Sequence, residues 1–188
     1  MRIETRIWVE GTVMAALGIA LSFIPLSIGS SFTISLGQIP IIIFALRRGV
    51  KPGLLAGLVW GLLHFLTGQA QILTASQAII EYPIADLFLG LAGLYAANLQ
   101  QAFRANQGTK MMAVLIQATL LGTFARFFWH FVAGWIFWGA YALWGLQPWL
   151  FSLVMNGISG LATAVVTAVV AILLVRIPAI YLPKTNRT

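Results

Sequence analysis

The sequence predicts an all-α integral membrane protein, a single-domain bundle of six transmembrane helices over residues 1–188 with both termini in the cytoplasm. Three observations predict it. The chain has 188 residues, 60% hydrophobic and only 8% charged, where a soluble domain carries about 25% charged residues. Residues 11–46, 52–80 and 127–175 contain no Asp, Glu, Lys or Arg, and a helix needs about 20 apolar residues to cross the hydrocarbon core. All basic residues except Arg126 lie at the ends of the apolar runs.

The first run, residues 7–25, follows Arg2 and Arg6. Glu4 and Glu10 interrupt that basic region and no small-residue cleavage site follows Pro25, so it reads as a retained helix rather than a signal peptide. Residues 26–37 overlap the Ser/Gly-rich stretch SIGSSFTISLGQIP, closed by Pro40. It is an expected outer lid or half-inserted loop, which membrane depth tolerates only where it is buried in protein or lines a cavity. The second helix, 38–49, is too short to cross the bilayer at about 1.5 Å per residue. Arg47, Arg48 and Lys51 mark the tight turn RRGVKPG into the third helix, 52–67, where Gly53, Gly57 and Gly61 make a flat face for packing within the monomer. The fourth helix spans 76–99, and Arg104 and Lys110 follow in NLQQAFRANQGTK. The fifth and sixth span 111–138 and 150–177, and Arg176, Lys184 and Arg187 follow. The intervening connections 26–37, 68–75 and 139–150 carry no basic residue, which gives the positive-inside alternation for six spans. Trp135, Trp138, Tyr141, Trp144 and Trp149 crowd around the third of these, as interfacial aromatics do.

This distribution explains a net charge of +7 as topology, not as a nucleic-acid surface. The absence of cysteine excludes disulfides and thiolate chemistry, and the two histidines have no His-x-x-x-His or Glu-x-x-His spacing for a metal. No Walker loop is present, so the chain cannot hydrolyse ATP by that device. No internal repeat supports an inverted-repeat transporter.

Glu81, Asp86 and Arg126 lie inside the apolar runs, where a charge at the bilayer centre costs at least ~2.5–3.5 kcal/mol. They sum to one negative charge, so the interior lacks one cation or holds one protonated acid. Arg126 could pair with either carboxylate, and for Asp86 a bond to backbone is equally open. Helix direction puts Glu81 about 8 Å and Asp86 about 15 Å below the outer end. Arg126, His130, Gly134 and Trp138 recur every four residues, which keeps them within an arc of roughly 120°. Gly134 would leave a hollow between donors and aromatics. With Asn156 at similar depth, these residues outline an outward-facing pocket for a small polar heteroaromatic ligand, including a cationic one. His64 reads as interfacial, Ser152 and Ser159 read as packing residues, and Glu81 has no evident local partner. A nucleophile setting is lacking, so the reading is not an enzyme.

The segments EGTVMAALGIALSFIP, RRGVKPGLLAGLVWG, IIEYP, RFFWHFVAGWIFW and FSLVMNGISG, in this order over nearly the whole chain, resemble the thiamine-specific S components of energy-coupling factor (ECF) transporters. The resemblance implies a multi-pass subunit of the bacterial plasma membrane that binds thiamine from outside and requires no cofactor. It implies docking on a transmembrane T component and two ATPases, whose ATP hydrolysis topples the subunit. By position, the binding residues would be Glu81, Tyr82, Arg126, His130, Gly134, Trp138, Phe151 and Asn156. The docking face would be Thr12, Ala15, Ala16 and Ala20, and the lid residues 26–37. Glu81 would be the counter-charge to the thiazolium or the aminopyrimidine partner, His130 and Trp138 would flank the rings, and Asn156 would hold a polar edge. Arg126 stands where some members have lysine and Phe151 where a tyrosine is expected. Ser31 replaces a lid tryptophan, with Phe32 beside it as an aromatic substitute, and Asp86 lies outside the pattern. The alternatives are an S component for another vitamin or heteroaromatic precursor, or a small membrane enzyme or channel using Glu81 and Arg126.

Overall fold

The computed structural model describes residues 3–28 and 31–183. Arg2, Lys184 and Arg187 of the charge pattern, and positions 29 and 30 of the expected lid, lie outside the described residues. Helix α1 (Ile3–Ser22) leads into a two-stranded antiparallel hairpin, β1 (Ser27–Ile28) and β2 (Phe32–Thr33). Helices α2 (Gln38–Arg48) and α3 (Val50–Leu66) follow, then a long composite helix α4 (Ala75–Arg104). The chain ends in α5 (Gly108–Phe137), α6 (Pro148–Leu173) and the short α7 (Pro178–Tyr181). Helices Ala75–Arg104, Gly108–Phe137 and Pro148–Arg176 are long and apolar enough to cross a membrane. The fold is helical apart from the hairpin, which occupies the segment expected to be a lid.

The short second helix is central. Residues Gln38 to Leu46 are all buried, and a helix that is apolar all round belongs in an interior. Ile41, Ile42 and Leu46 pack there with Leu89, Leu99, Leu115, Ala118 and Ala171. The turn into α3 is closed by Gly49, whose φ of +88° suits a residue without a Cβ.

Backbone contact between α3 and α4 sets the depth of the ionisable residues. A Cβ on Gly57 would stand 2.2 Å from the Asp86 carbonyl oxygen, and one on Gly61 would stand 2.6 Å from that of Tyr82. The glycine face expected to pack inside the monomer therefore meets the segment of α4 that bears Tyr82 and Asp86. That segment is not a regular helix. Ile80–Ile84 is a π-turn containing Pro83, followed by a short α stretch and a 3-10 stretch, Phe88–Tyr95. Proline has no N–H to give to the helical ladder, and π-turns inside helices recur at functional sites.

The basic ends gather at one end of the bundle. Arg47 and Arg48 both pair with Glu10 of α1, Arg47 reaches the carbonyls of Ala179 and Ile180, and Gln100 donates to the Arg47 carbonyl. Around the periphery, Leu62, Leu94, Ile116, Phe124, Leu161, Val165 and Val169 are exposed, an apolar belt of the kind a lipid solvent accepts.

Helix α1 presents two small-residue faces. Ala15 is fully buried, with Gly11 and Gly18 against Phe44 and Trp60. Its place in the expected docking face is corrected: each residue turns the helix by about 100°, so Ala15 packs into the bundle while Thr12, Ala16 and Ala20 stay exposed.

Candidate functional site

At the end opposite the basic turns lies a cavity of about 720 Å³, within the range of small-molecule sites. The end of α1 and the hairpin form one wall, and α4, α5 and α6 form the others. Glu81, Tyr82, Arg126, His130, Gly134, Trp138, Phe151 and Asn156 all border it. The residues picked out by spacing and depth, Glu81, Arg126, His130, Gly134, Trp138 and Asn156, and the two implied by the resemblance, Tyr82 and Phe151, thus meet at one space.

The two carboxylates of α4 have different partners. Asp86 is completely buried, and its Oδ1 accepts from Arg126 Nε at 2.6 Å. Its Oδ2 lies 3.6 Å from His64 Nδ1, which donates to the Trp60 carbonyl at 3.0 Å. The Arg126 guanidinium also sits 5.0 Å from the centre of the Trp60 ring and 5.3 Å from that of Phe127, a favourable place for a cation. Glu81 accepts from Trp138 Nε1 at 2.7 Å and from Gln77 Nε2. Both donors are neutral. Of the two acids, Asp86 is the one paired with Arg126, so Glu81, on the cavity wall, is the one left without a cationic partner among the described residues.

Several expectations change here. Glu81 has a local partner after all, Gln77, one helical turn earlier. His64 is not interfacial: it is buried, borders the cavity and lies with its ring centre 5.3 Å from that of Tyr82, the two rings tilted. A lone histidine near a helix end carries no signal of what faces it, and Asp86 reaches it only because α3 and α4 touch through Gly57 and Gly61. Gly134 does more than leave a hollow, since a Cβ there would stand 2.3 Å from Ser152 Oγ. Ser152 donates to the Phe131 carbonyl at 2.8 Å, and Asn156 Nδ2 donates to the Ser152 carbonyl at 3.0 Å. Ser152 and Ser159 pack as expected, yet both also border the cavity.

The segment expected to be a lid, and the start of α2 after it, are registered on α6 by hydroxyls. Thr33 N–H donates to Ser159 Oγ at 3.2 Å, Ser35 N–H to Thr163 Oγ1 at 3.1 Å, and Gln38 Nε2 to Thr167 Oγ1 at 2.8 Å. Four helical residues rise about 6 Å and two extended residues about 6.6 Å, so hydroxyls four residues apart on α6 meet N–H groups two residues apart, Thr33 at the end of β2 and Ser35 just beyond it. The aromatic substitute is also corrected: Ser31 and Thr33 border the cavity, and Phe32 between them does not. Phe23, at the end of α1, supplies an aromatic there instead. Among the described residues, no group of three or more His, Asp or Glu could hold a metal.

A family model described as thiamine transporter protein (Thia_YuaJ) matches residues 8–182. The thiamine transporter ThiT of Lacticaseibacillus paracasei is 40% identical over 184 residues, covering 95% of this chain and 92% of that protein. ThiT of Bacillus subtilis is 27% identical over 169 residues, covering 88% of each. A solved structure of ThiT from Listeria monocytogenes superposes with a TM-score of 0.95 at 46% identity, covering 97% of this chain and all of the other. These relatives are named as transporters, and the role is transport rather than catalysis. The full-length match, the shared fold and a heteroaromatic-sized cavity with one carboxylate that has no cationic partner among the described residues agree, and the chain belongs to the thiamine transporter protein family.

Proposed function

We propose that this chain is the thiamine-binding S component of an ECF transporter in a bacterial plasma membrane. It crosses the bilayer six times with both ends inside, takes thiamine from the outer face, and docks on a T component and two ATPases that supply ATP hydrolysis. The observation that carries the reading is the Glu81 carboxylate, held on the cavity wall by neutral donors only. Thiamine brings a permanently positive thiazolium and a polar aminopyrimidine, so Glu81 serves as counter-charge or aminopyrimidine partner. His130 and Trp138 flank the rings, Asn156 holds a polar edge, and Tyr82 and Phe151 close the aromatic wall. Arg126, balanced by Asp86, contributes a donor-rich end without adding net positive charge. Gly134 keeps α5 and α6 close.

The clustering of Arg47 and Arg48 with Glu10 at the end opposite the cavity supports an inside-facing basic end and an outward-opening site. The exposed small residues Thr12, Ala16 and Ala20 support a close-packed helix partner. Titration of the detergent-purified protein with thiamine, followed by tryptophan fluorescence, tests the binding reading. Saturable quenching by thiamine but not by riboflavin or biotin is expected, and no response to thiamine overturns it. Ala16→Trp tests docking: uptake should be abolished with binding intact, and normal uptake removes this face.

A further inference from the structure

The first turns of α4 carry a buried amide behind the cavity wall. Gln77 is completely buried and does not border the cavity. Its Oε1 accepts from the Leu73 N–H at 2.9 Å, and its Nε2 donates to the Gln71 carbonyl at 3.1 Å and to the Glu81 carboxylate. A glutamine amide has two donors and an acceptor oxygen. Here both donors are used, and the amide can face only one way, because a backbone N–H must meet its oxygen and a carbonyl and a carboxylate must meet its nitrogen.

We propose that Gln77 is a positioning residue for substrate binding, fixing the Glu81 carboxylate to the 69–74 connection between α3 and α4 without bringing a charge to it. It rests on the reading of Glu81 as a thiamine-binding group. A plainer role is at hand. Thr74 caps the helix, accepting from the Gln77 N–H at 3.1 Å, and Thr-x-x-Gln is a capping-box pattern in which the glutamine side chain reaches back to the cap. Here the side chain reaches past the cap to Leu73 and Gln71, and spends its remaining donor on Glu81. The same connection is tied a second time where Gln71 N–H donates to the Tyr82 hydroxyl at 2.7 Å. Two neighbouring cavity residues, Glu81 and Tyr82, are thus held by one connection. An arginine or lysine at position 77 would hold the carboxylate equally well but cancel the charge a cationic ligand meets. A neutral amide holds it and leaves the charge.

A double-mutant cycle separates positioning from capping. Thiamine dissociation constants are measured for the wild type, Gln77→Met, Glu81→Gln and the double variant, with Gln77→Asn as a milder variant that stays polar but falls short of Glu81. Gln77→Met and Gln77→Asn should each weaken binding about tenfold, the worth of a hydrogen bond to a charged group. In the Glu81→Gln background, either substitution should change affinity less than about twofold. Equal losses in both backgrounds would mean that Gln77 acts through the fold alone, and full affinity in Gln77→Asn would mean that its reach to Glu81 is irrelevant. Either result overturns the inference while leaving the site reading intact. Unchanged affinity in Glu81→Gln alone overturns the site reading itself and the inference with it.

Discussion

Glu81 and Asp86 are five residues apart on one helix and both lie among apolar residues, yet their surroundings differ. Asp86 is sealed from solvent and paired with Arg126, with His64 nearby. Glu81 borders the cavity and receives only uncharged donors, Gln77 and Trp138. Asp86 is therefore an acid paired across to α5 by a cation, and Glu81 an acid on the cavity wall with no cationic partner among the described residues. The same functional group becomes scaffold or site according to whether its partner brings a charge.

The largest expected effect breaks the paired half. Asp86→Asn leaves the Arg126 guanidinium buried without a counter-charge and should lower stability by about 3–5 kcal/mol, read as a drop in Tm of the detergent-purified protein. Adding Arg126→Met should recover part of that loss, and an unchanged Tm in the single variant would show that the pair is not structural. Glu81→Gln should do the reverse. Stability should stay near that of the wild type, while the thiamine dissociation constant should rise ~10- to 100-fold, about 1.5–3 kcal/mol for an interaction with a charged group. Loss of stability with intact affinity would exchange the roles of the two acids.

Smaller effects test the frame that holds Glu81 opposite α6. Gly134→Ala places a methyl group against Ser152 and should cost ~1–3 kcal/mol of stability by overpacking. Removing the clash with Ser152→Ala should return much of it, measured by thermal unfolding of the double variant. Smallest are Ser159→Ala and Thr163→Val, each of which deprives a lid N–H of its acceptor, at about 1 kcal/mol. Thiamine should dissociate several-fold faster from both, measured by stopped-flow fluorescence, and an unchanged rate would show that the hydroxyl row does not hold the lid over the ligand.

Much of the site was legible along the chain because helical geometry is regular. A four-residue spacing placed Arg126, His130, Gly134 and Trp138 on one face, and depth counting matched them to Glu81 and Asn156. What escaped were relations between elements. His64 gave no local sign that Asp86 lay across the helix contact, and Asp86 itself was open between two partners. Ala15 and Ala16 are adjacent and equally small, so nothing in composition told which one faced inward. Gln77 did carry a signal, four residues before Glu81 and three after Thr74, but one that also marks an ordinary helix cap.

By itself, the sequence determined that this is a helical membrane protein with basic ends, a short second helix and three ionic groups within its apolar runs. Hydropathy, helical period and charge placement act locally or along one helix, and they can be read without knowing the neighbours. Only the tertiary structure decided which carboxylate Arg126 neutralises, because pairing depends on how closely two helices approach. That approach is set by the glycines of α3, which bring backbone to backbone, and by the π-turn at Pro83, which breaks the regular period on which depth counting relies. That the three groups include one acid more than they have cations was visible from the residues, and that Glu81 is the one left without a cationic partner was not.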